Sequence, residues 1–248
     1  MDFSTVKFRA SSWGNLLSEP VSKADKESGK LSLTCQKELI KIYNREMYGR
    51  KKDITTACME KGILCENDSI KLFSAVEGVF YIKNQEQLEN EWFTGKPDIY
   101  SGESIFNADE IHDIKSSFEL DTFIPKLIEK PDTGYEAQLN VYFDLCNCTK
   151  GSIAYCLVDA PMKVLDGEKR KLLYNMDVIS EESTEFKEAA LELEKQLTFP
   201  DIDYRERVIK IPFYRNDELI SKMKAKVPIL RDWLQEFHAK HMNLYPKS

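Results

Sequence analysis

The sequence predicts an α/β fold, a mixed central β-sheet flanked by helices, and three observations carry that expectation. Short runs with two-residue alternation of apolar and polar side chains, such as EIHDIKSSF (110–118) and SIAYCLV (152–158), read as strands. Longer stretches with helical spacing lie between and around them. Helices alternating with strands form layers about a sheet. In order, a helical amino-terminal region (about 10–75) includes a helix over Gln36 to Tyr48 and another from about Thr55 to Phe73. Strands are expected near 78–83, 97–101 and 110–117, the last two as a hairpin across the turn-rich SGESIFNADE. A helix over about 134–147 follows, then strand 152–158, a strand near 172–178, an acidic helix over Glu185 to Gln196 and a buried strand at 207–214 with Val208, Ile209 and Ile211. The last element is a helix from Asn216 that Pro228 should kink or break. No Gly/Ser/Pro-type linker and no repeat divides the chain, so it reads as one domain, with a helical amino-terminal region (residues 1–75), a core (residues 76–215) and a helical carboxy-terminal segment (residues 216–248).

Composition narrows the class. At 248 residues and 42% hydrophobic, the chain can bury a full core. No apolar run approaches the roughly 18 residues of a membrane span, and MDFSTVKFRASSW lacks the apolar centre of a signal peptide, so a soluble cytoplasmic protein is expected. The six cysteines (35, 58, 65, 146, 148, 156) form no disulfide framework. The three histidines lack zinc-ligand spacing with a cysteine pair, and His238 and His241 read as partly exposed helix residues. A net charge of −7 is unevenly spread: residues 21–52 hold nine basic against four acidic side chains, and 181–203 hold eight acidic against two basic. Lys37, Lys41 and Arg45 share one side of their helix, either lining a polyanion channel or solvating that face.

An ordered set of polar residues points to chemistry. Glu66 lies in a helical stretch, Asp98 follows Pro97, Asp113 and Lys115 sit two apart on one strand, and Gln138 and Tyr142 sit four apart on one helix. Residues two apart share a strand face, so Asp113 and Lys115 point together and Ile114 points to the opposite face, toward a core helix. Converging carboxylates hold a hard divalent cation, and an adjacent lysine suits the charged transition state of phosphodiester cleavage. Each motif alone has an ordinary reading: a Pro-Asp turn, a solvated strand face, a surface pair on a helix, a helix-surface carboxylate. The order and spacing of all four carry the functional reading.

In these motifs the sequence resembles the PD-(D/E)XK nuclease superfamily, specifically phage recombination exonucleases of the lambda exonuclease and YqaJ type, with RecB-like nuclease domains as cousins. The matching pieces are GILCENDSI with Glu66, the Pro97-Asp98 pair, Asp113-Ile114-Lys115, YEAQLNVY with Gln138 and Tyr142, and the opening FRASSWGNLL, together spanning roughly residues 8–215. The resemblance implies a restriction-endonuclease-like core and a Mg²⁺- or Mn²⁺-dependent deoxyribonuclease. Asp98 and Asp113 would be metal ligands, with Glu66 a further one; Lys115 would serve the nucleophile or the developing charge, and Gln138 would position it with support from Tyr142. It further implies that Arg9 and Ser12 or Ser11 grip a DNA 5′ phosphate, although Ser11 or Ser12 reads equally well as the N-cap of the following helix. Digestion 5′ to 3′ from linear duplex ends, a ring-shaped trimer and a single-strand annealing protein as partner follow from the same likeness. A structure- or site-specific endonuclease, or an inactive DNA-binding protein on this scaffold, are the alternatives. Some RecB-like relatives hold an iron–sulfur cluster with one cysteine before and three after the motifs. Cys35, Cys146, Cys148 and Cys156 invite the comparison, but the Cys-X-Cys spacing and the strand setting of Cys156 predict no cluster here.

Overall fold

A computed structural model describes residues 1–50, 56–176 and 180–244. Strand β1 (Phe8–Arg9) passes through a 3-10 turn into helix α1 (Trp13–Leu16), followed by α2 (Lys23–Glu27), α3 (Leu33–Tyr48) and α4 (Ala57–Glu77). Three short strands, β2 (Leu88–Glu89), β3 (Phe93–Gly95) and β4 (Ile99–Ser101), precede β5 (Glu110–Ser117). Then come α5 (Leu120–Phe123), a 3-10 turn at Ile124–Leu127, α6 (Thr133–Cys146), β6 (Lys150–Leu157), α7 (Met162–Asn175), α8 (Thr184–Leu197), β7 (Val208–Tyr214) and α9 (Asp217–Leu244).

Local chemistry sets the long helices. The Ser32 side chain accepts from Cys35 N at 3.0 Å to start α3, and Gly49, with φ 61°, ends it in the left-handed region that glycine adopts without strain. Thr56 caps α4 in the same way through Met59 N, and Thr55, where the sequence placed the start, lies outside the described residues. Asp132 caps α6 through Gly134 N at 2.6 Å.

The main sheet has the order β4-β5-β6-β7. β4 and β5 form the expected antiparallel hairpin, β5 and β6 run parallel with Asp113 beside Ile153 and Lys115 beside Tyr155, and β7 closes one edge antiparallel to β6. Ile114 packs with Ala154 and Cys156 against Cys65, Ile70 and Phe73 of α4, the core helix expected behind it. On the other side, Ile111 and Ile153 join α6 residues Leu139 and Phe143 in a core that also takes in Trp13, Leu39, Val227 and Leu234 from α1, α3 and α9. A smaller sheet, β1-β3-β2, sets Arg9 beside Thr94. α1 crosses α6 where two glycines meet: a Cβ on Gly14 would lie 2.7 Å from Gly134 Cα.

Four expectations fail in instructive ways. The strand near 78–83 does not form: after Gly78 the chain turns back along α4, where Tyr81 N bonds the Ser74 hydroxyl and Asn84 N bonds the Asp98 carbonyl. Its alternation is real, with Tyr81 buried between exposed Phe80 and Ile82, but it has no ladder partner among the described residues. The strand near 172–178 is the end of α7 as far as Asn175, because Val164 and Leu165 dock that helix against Leu197 of α8; positions 177 and 178 lie outside the described residues. β7 exists, but Val208, Ile209 and Ile211 are only half-buried, since this is an edge strand on which Pro212 withholds no needed donor. α9 runs unbroken through Pro228. The proline ring is on the exposed side, and the buried seam of Met223, Val227, Leu230 and Leu234 holds the helix on either side of it. No described helix is long and apolar enough to cross a membrane.

Candidate active site

Strand pairing does most of the work of assembling the polar cluster. Asp113 is carried into the interior by β5 and is almost fully buried. Asp98 stands just before β4, and its Oδ2 accepts the Ile114 backbone N–H at 2.7 Å, a bond made between neighbouring strands of the hairpin. From α6, Gln138 Nε2 donates to Asp113 Oδ1 at 2.8 Å and sits 3.1 Å from the Tyr142 hydroxyl. Lys115 forms an ion pair with Asp113 Oδ2, and its ammonium also lies 5.1 Å from the centre of the Tyr135 ring. That ion pair is the partner of Asp113 Oδ2, a buried oxygen that takes no further hydrogen bond among the described residues. The structure thus brings Asp98, Asp113, Lys115, Gln138 and Tyr142 together.

Glu66 is placed differently. Its Oε2 takes the Lys83 ammonium at 2.6 Å, and its charge reaches Asp98, but no group of three His, Cys, Asp or Glu side chains forms a ready metal cluster among the described residues. The electrostatics of the cluster are those of crowded carboxylates. Burial, then the Asp113 charge, push Asp98 up to about 7, against the Ile114 N–H and Lys115, which favour its ionised form. Burial works against the charge on Lys115, but Asp113 and Asp98 outweigh it and its pKa is raised, so the ammonium stays charged at neutral pH. Burial and the nearby Asp113 hold the Tyr142 hydroxyl well above its ordinary range and therefore neutral. One residue before Asp113, buried His112 is held near 4 by burial and sits neutral between Ser152 Oγ at 2.8 Å and the Tyr81 hydroxyl at 3.3 Å.

A cleft of about 750 Å³ adjoins this cluster, lined by Lys7, Arg9, Ser11, Arg45, Lys96 and Tyr142. Tyr142 is the bridge, because Gln138 touches both it and Asp113. Gly95 makes room for its ring: a Cβ there would lie 2.6 Å from Tyr142 Cε1. Lys7 pairs with Glu89 at 2.7 Å and Arg45 with Glu46 at 2.8 Å, whereas the exposed Arg9 side chain makes no hydrogen bond or ion pair among the described residues. Ser11 is exposed in the cleft. Ser12 is not: it occupies the N-cap position of α1 without capping it, and its hydroxyl donates to buried Glu38 at 2.9 Å, which Asn15 and Lys41 also hold. The Lys37, Lys41, Arg45 row therefore divides, Lys41 to Glu38 and Arg45 to the cleft.

Tyr135, Lys83 and Lys96 escaped the sequence reading. Tyr135 was within reach of it, since it precedes Gln138 by three and Tyr142 by seven on the same helical face. Lys83 carries no such signal. Of the cysteines compared with a cluster set, Cys35 lies in α3, Cys146 ends α6 and Cys156 is a buried residue of β6.

Neither a family model nor a curated protein matches the sequence. Solved structures do match the fold. A phage-related exonuclease from Haemophilus somnus 129PT superposes with a TM-score of 0.71 and 26% identity, covering 96% of this chain and 97% of that one. An alkaline exonuclease from Laribacter hongkongensis gives a TM-score of 0.61 at 12% identity, over 97% of this chain and 96% of its own; its complex with dAMP also gives 0.61, over 96% and 94%. The likeness first visible in five sequence motifs thus extends over nearly the whole chain, and the protein is of the PD-(D/E)XK phage-exonuclease type in its fold.

Proposed function

We propose that this chain is a divalent-metal-dependent DNA exonuclease that digests linear duplex from its ends, 5′ to 3′, acting as one nuclease domain. The observation that carries the reading is the convergence of Asp98, Asp113, Lys115 and Gln138 beside a basic cleft in which the Arg9 side chain has no hydrogen-bond or ion-pair partner among the described residues. The structural likeness to phage-related and alkaline exonucleases supports it.

The donor set fits a hard cation. Asp98 and Asp113 offer carboxylate oxygens, and buried Asp113 Oδ2, beside the Lys115 ammonium, takes no further hydrogen bond and keeps a lone pair that a cation would coordinate. Glu66 is a further oxygen donor within electrostatic reach. Bound Mg²⁺ or Mn²⁺ would supply Lewis acidity toward the scissile phosphate and make water more acidic. The residues do the rest. The Ile114 N–H and the Gln138 amide hold one oxygen of each carboxylate, so both are aimed before substrate arrives. Lys115 presents a charged ammonium where negative charge grows as water oxygen joins phosphorus and the P–O bond to the leaving nucleotide breaks. The Arg9 guanidinium and the Ser11 hydroxyl suit a terminal phosphate dianion. Ser12, committed to Glu38, would act only by bracing this segment.

The test is digestion of linear duplexes labelled at one end, with Mg²⁺, with Mn²⁺ and with EDTA, beside a closed circular duplex. Metal-dependent release of label from linear DNA with the circle left intact is the expected result; cutting of the circle would show an endonuclease. A 5′-phosphate duplex should be degraded faster than a 5′-hydroxyl one, and Arg9→Ala should lose most of that preference.

A further inference from the structure

Lys83 belongs to no motif and lies in a segment without regular structure, yet its backbone is fixed at the site. Its neighbour Asn84 donates from its backbone N to the Asp98 carbonyl at 2.7 Å and from its side-chain amide to the Pro97 carbonyl at 3.0 Å. The same amide also reaches the Glu86 carbonyl, and Glu86 N returns a bond to Asn84 Oδ1, which closes the turn. The Lys83 ammonium donates to Glu66 Oε2 at 2.6 Å and has no other acceptor among the described residues. About a third of its side chain (33%) remains open to solvent, as does 26% of Glu66. An ammonium has three donors, and one is used.

The charges around it make the arrangement informative. Asp98, Asp113 and Glu66 bring three carboxylates, against which stand the two ammonium groups of Lys115 and Lys83. Lys115 is engaged by Asp113 and by the Tyr135 ring on the β5 and α6 side, with 30% of its side chain open. Lys83 comes from the segment beyond α4 and keeps an open face. A DNA strand crossing the carboxylates carries a phosphate at every nucleotide, so phosphates next to the scissile one need a cation that is anchored at the site yet open to water.

We propose that Lys83 is a DNA-contacting residue of this site, gripping a backbone phosphate adjacent to the scissile one while Glu66 holds its ammonium in place when DNA is absent. This rests on the nuclease reading of the site. It adds a contact that discriminates nucleic acid from other phosphate esters, because it needs a second phosphate on the same strand.

The experiment is DNA binding in EDTA, where no cutting interferes, by fluorescence anisotropy on a labelled duplex with a 5′ overhang between 50 and 200 mM salt. Lys83→Met should weaken binding about tenfold at the middle of that range, as loss of a charge-assisted bond does, and lower the slope of log K against log salt by about 0.7–0.9, the loss of one phosphate contact. Lys83→Arg should keep the wild-type slope. Glu66→Gln should keep it as well, since the lysine then faces the DNA unopposed. Circular dichroism confirms that each variant is folded, and Lys83→Gln replaces the methionine variant if that one is not. An unchanged slope in the folded neutral variant overturns the proposal and leaves Lys83 as a partner of Glu66 alone. If the wild type binds DNA with a Lys83-dependent slope yet cuts nothing with Mg²⁺ or Mn²⁺, the nuclease reading fails and the Lys83 contact stands.

Discussion

Replacing Asp98 by asparagine should remove a pH dependence of stability that the metal-free protein owes to this one carboxyl. In the folded chain, burial and the Asp113 charge raise Asp98 from 3.8 to about 7. The folded state therefore favours the protonated form. The stability this brings is complete below about pH 4 and is lost as pH rises through about 7, so the metal-free wild type should weaken across that window. A shift of about three units is worth at most about 4 kcal/mol, at 1.36 kcal/mol per unit. Asp98 is only half-buried, and water screening at its open edge brings the expected loss to about 2 kcal/mol. For a chain of this size that is a fall in Tm of roughly 4–8 °C. The assay is thermal unfolding by circular dichroism in EDTA from pH 4.5 to 8, for wild type and Asp98→Asn. The variant should lack that fall, so the two curves should converge at low pH and separate toward pH 8. Carboxylates remote from Asp98 titrate alike in both proteins and cancel in the difference. Addition of Mn²⁺ at pH 8 to one hundred times its Kd should restore about 2.7 kcal/mol to the wild type and much less to the variant. Parallel wild-type and variant curves across the whole range would refute the reasoning, because they would mean that Asp98 titrates alike in the folded and unfolded chains.

Lys115→Ala should lower kcat by a hundredfold or more, on the order of the loss of one transition-state donor, with DNA affinity in EDTA changed little; single-turnover digestion and anisotropy separate the two effects. Gln138→Leu removes the donor to Asp113 and leaves a buried carboxylate less satisfied, so it should cost about 1.5–3 kcal/mol in kcat/KM, roughly ten- to two-hundredfold. Gly95→Ala drives a methyl group against the Tyr142 ring and should destabilise the fold by about 1–3 kcal/mol in urea unfolding, with activity falling further than stability accounts for. Leu234→Ala opens a fully buried site under α9 and should cost about 2–5 kcal/mol without changing the salt dependence of DNA binding.

The portion of the site that was legible in the sequence is the portion that local geometry dictates. Period-two alternation in β5 put Asp113 and Lys115 on one face and Ile114 on the other, which is how they stand. Turn chemistry between residues 101 and 110 gave the β4–β5 hairpin that brings Asp98 to the Ile114 amide. What escaped depends on contacts remote in sequence. The Ser12 hydroxyl goes to Glu38, 26 residues away, instead of to its own helix end. The alternating run around Tyr81 lies along a helix because Phe73 and His112 receive the tyrosine ring, and alternation alone cannot say whether a strand partner exists. Pro228 costs its helix little because the ring points to water while four buried neighbours hold the backbone, a balance that only the tertiary fold sets.

The meeting of Gly14 and Gly134 bears on how far into a DNA strand the enzyme reaches. Two missing side chains let the backbone that follows Arg9 and Ser11 come into contact with the helix that carries Gln138, so the anion cleft and the carboxylates share one rigid joint. If a terminal phosphate seats at Arg9, that joint is a ruler: its length decides which phosphodiester from the end lies over Asp98 and Asp113, and hence whether each turnover releases one nucleotide or more. Thickening the joint by a methyl group at Gly14, where a Cβ would stand 2.7 Å from Gly134 Cα, lengthens the ruler slightly, and the size of the released product records the change.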